Sequence, residues 1–182
     1  MKKINRPRVG RNLDKAMSQE LDREQPNKIR NNCKLTRSWV WDKKVNDFAR
    51  ERIIGKSINI CAGLSDVGDV KVDLDPQSDK VKKMEMNNLK FKDNTFDTVI
   101  SDPPWKIGFF QRMKPFFECV RICKVGGRII YNCTWKPISK YVGLEEAVIR
   151  TDNNWASVSV IYVFKKIADV PTKTKGKKTI QN

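Results

Sequence analysis

At 182 residues the chain is long enough for one domain with a real core and too short for two comfortable ones. Hydrophobic residues make up 39% of it and are interspersed, which argues against a membrane-spanning helix and for a soluble globular protein. Lys and Arg total 37 against 21 acidic residues, a formal charge of +16, an imbalance suited to a polyanionic partner.

Residues 1–37 carry eleven basic and four acidic side chains, few apolar ones and no sustained period. They read as a basic, partly disordered arm with a short helix near 13–24. The basic start lacks an apolar stretch, so no signal peptide is expected. From Trp39 the pattern changes. In "RSWVWDKKVNDFARERIIGKS" the residues Trp41, Val45, Phe48, Ala49 and Ile53 recur at helical spacing, with Ser38 as the expected cap and Gly55 as the stop. Trp39 and Trp41 read as core or rim of that helix.

Short apolar runs follow at 57–63 ("SINICAG") and 69–76 ("DVKVDLDP"), with a weaker strand candidate at 79–86 and a strong one at 95–101 ("TFDTVIS"). That last strand stops on Asp102-Pro103-Pro104-Trp105. Two prolines cannot continue a strand ladder, because each lacks an N–H and has a fixed φ. A helix is expected over 109–124, with Pro115 as a candidate for its first turn. Gly126-Gly127 reads as the turn into a β-rich run at 128–135. The chain then closes with a hairpin whose turn is Asp152-Asn153-Asn154 and whose second strand runs from Trp155 to Phe164. Residues 165–182 hold six basic and one acidic residue, so the charge sits mainly in two tails. Such tails suit phosphates, and they also serve solubility alone. The expected organisation is an arm at 1–37, a domain at 38–166 and a basic tail at 167–182. Strands alternating with helices, then an antiparallel hairpin, make the fold class α/β.

The five cysteines are odd in number and lack disulfide spacing, and the chain has no histidine. No metal site is expected. Reduced thiols in an intracellular, cytoplasmic protein are the plain reading. Cys119, Cys123 and Cys133 read as small buried apolar residues.

Taken together, residues 39–165 resemble a class I S-adenosylmethionine-dependent methyltransferase, with its Rossmann-like, mostly parallel sheet. "INICAGLSD" stands where that family has its first glycine-rich loop, which implies cofactor contacts from Cys61, Ala62 and Gly63. Gly63 is in place, while Cys61 and Ser65 stand where glycine is common and Asn59 where an acid often stands. "VKVDLDP" resembles the second strand, whose terminal acid holds the cofactor's ribose. By that match Asp73 is the ribose ligand and Asp75 the fallback. Glu85 and Met86 would lie beside the cofactor's adenine.

The tetrapeptide Asp102-Pro103-Pro104-Trp105 is similar to the signature of amino-methyltransferases that act on adenine N6, cytosine N4, guanine N2 or a glutamine amide. The resemblance implies catalytic roles for all four residues. Asp102 and the Pro103 carbonyl would accept N–H bonds from the target amine, and Trp105 would stack on the base. The cofactor loop precedes this motif, unlike the order in messenger-RNA adenosine methyltransferases. Lys106 and Arg112 stand where they could meet a phosphate, and equally read as a solvated face. Trp135 reads as a packed strand-end aromatic.

Only eight residues separate the first two strands, so the usual crossover helices are expected to be shortened or replaced by loops. One sheet face would then be thinly covered, with the arm, the 39–53 helix or a second subunit as the candidates to cover it. The expected activity is methyl transfer to an exocyclic amine of a DNA or RNA base, with adenine slightly ahead. Two alternatives stand beside it. One is a decayed methyltransferase fold that binds nucleic acid or serves as a partner subunit. The other is methylation of a protein glutamine or a small amine.

Overall fold

The computed structural model describes residues 41–105, 107–108, 110–150 and 158–171. The basic arm with its 13–24 helix, Ser38, Trp39, Lys106, the 152–154 turn and residues 172–182 lie outside the described residues.

Helix α1 (Lys43–Arg52) starts later than its spacing suggests. Asp42 rather than Ser38 is the cap, its carboxylate accepting the Val45 N–H at 2.9 Å. Trp41 therefore lies in the chain entering the helix. The buried side of α1 sets Val45 and Ala49, with Trp41 before them, against Ile100, Ile130, Ile161 and Val67. One sheet face is thus covered by residues 41–53, the described part of one of the three candidates named for it.

The strands are β1 (Ser57–Ile60), β2 (Val70–Asp73), β3 (Lys82–Lys83), β4 (Phe96–Ser101), β5 (Cys123–Cys133), β6 (Val142–Arg150) and β7 (Ser159–Lys166). They form one sheet in the order β3-β2-β1-β4-β5-β7-β6. The five strands β3 to β5 run parallel, and β7 is antiparallel to both β5 and β6. Alternation along β4 and β5 sends Val99, Ile129 and Tyr131 to one face and Ile100 and Ile130 to the other. The first face is covered by α2 (Met113–Ile122), which buries Pro115, Phe116, Cys119, Val120 and Ile122. The Phe116 ring meets Tyr131 and Phe164 edge-on, each at 5.2 Å between centroids. Pro115 stands in the helix's first turn, so α2 is shorter at both ends than the 109–124 expectation.

The short connections are loops, as their length requires. Among the described residues no helix lies between β1 and β2, β2 and β3, or β3 and β4. Polar bonds fix them instead. Asn59 Nδ2 donates to the Val67 carbonyl at 3.2 Å, and Asp69 accepts from both the Ser57 amide and hydroxyl at 2.8 Å. The segment after β3 is tied to α2 by Arg121, which donates to the carbonyls of Leu89 and Phe91 and to the Asp93 and Glu118 carboxylates.

Gly126-Gly127 is not a turn between elements. Both residues lie within β5, where the pairing with β4 shifts register between Phe96 and Thr98. A Cβ at Gly127 would stand 2.6 Å from the Asp97 carbonyl oxygen and 2.9 Å from the Cys123 sulfur. Backbone cannot retreat there without breaking the β4–β5 ladder. Gly127→Ala is expected to cost about 1–3 kcal/mol in chemical denaturation, as overpacking does. An unchanged midpoint would contradict the close approach.

Candidate active site

In an open sheet whose order runs 3-2-1-4-5, the connections leave β1 and β4 in opposite directions. Their carboxyl ends then flank a crevice, the place where such sheets bind ligands. Here the residues at that switch point are Cys61 and its successors after β1, and Asp102 with its two prolines after β4. Trp41, Asn59, Cys61, Ala62, Ser65 and Asp102 line one narrow pocket between them. Two segments selected independently on the sequence therefore meet in space.

The loop after β1 is shaped for close approach. Cys61 and Gly63 both have left-handed backbone, at φ of 59° and 52°. For Gly63 this is unstrained, whereas for Cys61 it costs about 1 kcal/mol or more, strain of a kind that clusters at functional sites. Cys61 thus takes the conformation that the more common glycine would provide. The loop is tied to β2 by two bonds. Ala62 donates its N–H to the Val72 carbonyl at 3.1 Å, and Gly63 donates to Asp73 Oδ2 at 2.9 Å. The other oxygen of Asp73 accepts the Asp75 N–H at 3.0 Å, so Asp75 supports Asp73 through its backbone. Met86 reaches the same place, its sulfur 3.7 Å from that of Cys61. Glu85 does not join them: it is exposed, and its carboxylate accepts from Asn87 at 3.3 Å.

Asp102 is the centre of a second network. Its Oδ2 accepts the Trp41 indole N–H at 2.6 Å, and its Oδ1 accepts from Asn132 Nδ2 at 2.9 Å. Trp105 follows in the same turn and is half-buried. Of the two prolines, Pro103 is buried and Pro104 exposed. Burial pushes the Asp102 carboxyl above the usual carboxylate range, opposed by the Trp41 and Asn132 donors and by the Arg150 charge. Burial, with the nearby charges of Asp73 and Asp102, pushes the Cys61 thiol up to about 12. It is a neutral thiol and not a nucleophile at physiological pH. Tyr131, fully buried on β5, has a hydroxyl without a hydrogen-bond partner among the described residues, and its acidity feels both Cys61 and Asp102.

Two members of this network went unread in the sequence. Trp41 does lie in the core, as its spacing indicates, and its indole N–H is in addition committed to Asp102. Asn132 lay inside an apolar run, where a single buried amide was the only available signal. Trp135 is half-buried beneath the Arg112 guanidinium, 5.6 Å from its ring centre.

No protein-family model matches the chain, and no curated protein sequence matches it. Solved structures do. The 1,6-didemethyltoxoflavin-N1-methyltransferase of Burkholderia thailandensis, with bound 1,6-didemethyltoxoflavin and S-adenosylhomocysteine, superposes with a TM-score of 0.54 at 9% identity, over 91% of this chain and 94% of that one. The N-methyltransferase NodS from Bradyrhizobium japonicum, in complex with S-adenosyl-l-homocysteine, gives a TM-score of 0.53 at 10% identity, over 81% and 97%. This is the methyltransferase fold. In that fold the crevice at the β1/β4 switch point is the position to examine for chemistry, and here it holds Cys61 on one wall and Asp102 on the other.

Proposed function

We propose that this chain is an S-adenosylmethionine-dependent N-methyltransferase whose acceptor is an exocyclic amine of a nucleic-acid base, with adenine N6 the first to test. The observation that carries the reading is the placement of Asp102. It is an enclosed carboxylate at the switch point, fixed from two elements and facing the cofactor loop across a narrow pocket. The charge of +16 favours a phosphate-bearing acceptor.

The residues present fit the cofactor. Asp73, half-exposed at the end of β2, keeps lone pairs beyond those taken by Gly63 and Asp75, and would hold the ribose hydroxyls. The left-handed turn at Cys61 and Gly63 lets backbone come close, with Ala62 between them too small to obstruct it. Met86 offers an apolar wall beside Cys61. The unpartnered Tyr131 hydroxyl adds a buried polar group to the same strand ends. When bound, S-adenosylmethionine supplies an electrophilic methyl group.

An amine on an aromatic ring is a poor nucleophile, because its lone pair is delocalised into the ring. Asp102 and the Pro103 carbonyl would accept its two N–H groups and turn the lone pair out of the ring plane. The raised proton affinity of Asp102 also suits it to take the proton the amine gives up. Pro103 and Pro104 hold the acceptors with little residual freedom. Trp105 would offer its face to the base. A base in a duplex would have to be flipped out to reach them.

The test is transfer from methyl-labelled cofactor to single-stranded DNA, duplex DNA, RNA and mixed proteins, followed by identification of the labelled atom. Label on an exocyclic base nitrogen is expected. Label confined to protein amides would overturn the nucleic-acid assignment.

A further inference from the structure

The Asp102 carboxylate is clamped on both oxygens by donors from two different parts of the chain. Trp41 precedes α1 and is 9% exposed. Asn132 lies near the end of β5 and is fully buried. We infer that Trp41 and Asn132 are positioning residues, which hold the Asp102 carboxylate in one orientation and leave its outward lone pairs aimed at the acceptor amine. The inference rests on the amino-methyltransferase reading.

Asn132 is an expensive residue to keep where it stands. Its Oδ1 is buried and has no hydrogen-bond partner among the described residues. Its Nδ2 donates to Asp102 Oδ1. A buried orphan carbonyl is costly, and each one in a native structure calls for an explanation. Here the explanation is the bond from the other end of the amide. Reversing the amide would set its oxygen against a carboxylate, so Asp102 dictates the orientation, and the fixed amide in turn fixes Asp102. Alternation along β5 puts Asn132 on the same face as Ile130, the face that α1 covers. That face is where Trp41 arrives. Asn46, on α1, donates to the Trp41 carbonyl at 2.9 Å and so fixes the backbone from which the indole reaches Asp102.

A carboxylate free to rotate would present its lone pairs to the amine only part of the time, whereas one held by two N–H donors is ordered before the acceptor arrives. The same donors favour the charged form against the cost of burial, together with Trp105. The other titratable or charged groups facing Asp102 are Arg150 on β6, Cys61 after β1, and Tyr131 and Cys133 on β5. Asp42, beside Trp41, pairs with Arg150 at 3.5 Å. Burial pushes the Cys61 and Cys133 thiols up to about 12 and raises Tyr131 as well, so these three stay neutral at physiological pH. A transition of the Trp41 signal that Asp102→Asn abolishes belongs to Asp102.

The experiment combines spectroscopy with kinetics. The five tryptophans give five indole N–H signals in a nitrogen–proton correlation spectrum. Trp41→Phe identifies one of them. In the native protein that signal should move with pH, and in Asp102→Asn it should shift and stop titrating. In Asn132→Ala its midpoint should rise, because the carboxylate has lost a donor. A Trp41 signal indifferent to both pH and Asp102→Asn would overturn the clamp, whatever the enzyme does. With labelled cofactor and the best oligonucleotide acceptor, Trp41→Phe and Asn132→Ala should each lower kcat by about tenfold. The acid limb of the rate profile should move to higher pH, with cofactor affinity unchanged. Native kcat and an unmoved acid limb in both variants, beside an inactive Asp102→Ala, would overturn the positioning role and leave the activity standing. Turnover retained in Asp102→Ala would overturn the activity assignment itself.

Discussion

Asp102→Ala is expected to lower methyl transfer by about 10²–10³-fold or more, while S-adenosylmethionine affinity stays within about threefold. The asymmetry follows from where the carboxylate stands. It closes β4 and faces the pocket, whereas the loop at residues 61–63 is held by its own bonds to β2, through Val72 and Asp73. Loss of Asp102 removes an oriented acceptor that matters most as the amine nitrogen becomes pyramidal. That loss should lower kcat far more than it raises KM. The substitution also strands the N–H groups of Trp41 and Asn132, each orphan costing about 1–3 kcal/mol of stability. Asp102→Asn is therefore the partner variant: it keeps the shape and one acceptor oxygen, and should fall between native and alanine. Turnover should also drop as pH falls through the raised pKa of Asp102, because protonation removes acceptor capacity. Native turnover in a folded Asp102→Ala protein would sink the mechanism.

The parts of this site that could be read from the sequence are those written locally. A strand such as "FDTVIS" announces itself by β-branched residues, and its abrupt stop at two prolines marks a rigid strand end. Short connections forbade crossover helices, and loops stand in their place. What escaped detection depends on contacts between distant parts of the chain. Trp41 and Asp102 are 61 residues apart and meet only because α1 packs across β4 and β5. At helical spacing an aromatic gives the same signal whether its N–H is used or not. Gly126-Gly127 looked like a turn because a glycine pair usually is one, whereas the bulge depends on register with β4. Cys61 hid its left-handed backbone behind a residue type that rarely adopts it. The cap is Asp42 and not Ser38 because α1 begins at Lys43, which places the Asp42 carboxylate against the Val45 N–H.

Asp73→Ala should abolish saturable binding of S-adenosylmethionine in calorimetric titration, with affinity reduced by about 10²-fold or more. Bonds from a ligand hydroxyl to a charged acceptor are worth about 1.5–3 kcal/mol each, and a ribose offers two hydroxyls to one carboxylate. A second loss adds to this, because the Asp73 carboxylate also accepts the N–H groups of Gly63 and Asp75. Without it the turn carrying Cys61 and Gly63 loses its tie to β2, and a strained left-handed Cys61 is what such a turn would surrender first. Asp73→Asn separates the two effects. Its one remaining oxygen can accept a backbone N–H and a single hydroxyl, and its NH2 can only donate, so affinity should fall by about tenfold with the fold's denaturation midpoint nearly unchanged. The demethylated product should lose affinity in parallel, since it carries the same ribose. Native affinity in Asp73→Ala would remove the ribose role from β2 and reassign the cofactor's position. Failure of the unsubstituted protein to bind either nucleoside, while folded, would instead favour a binding subunit that has kept the methyltransferase fold without its chemistry.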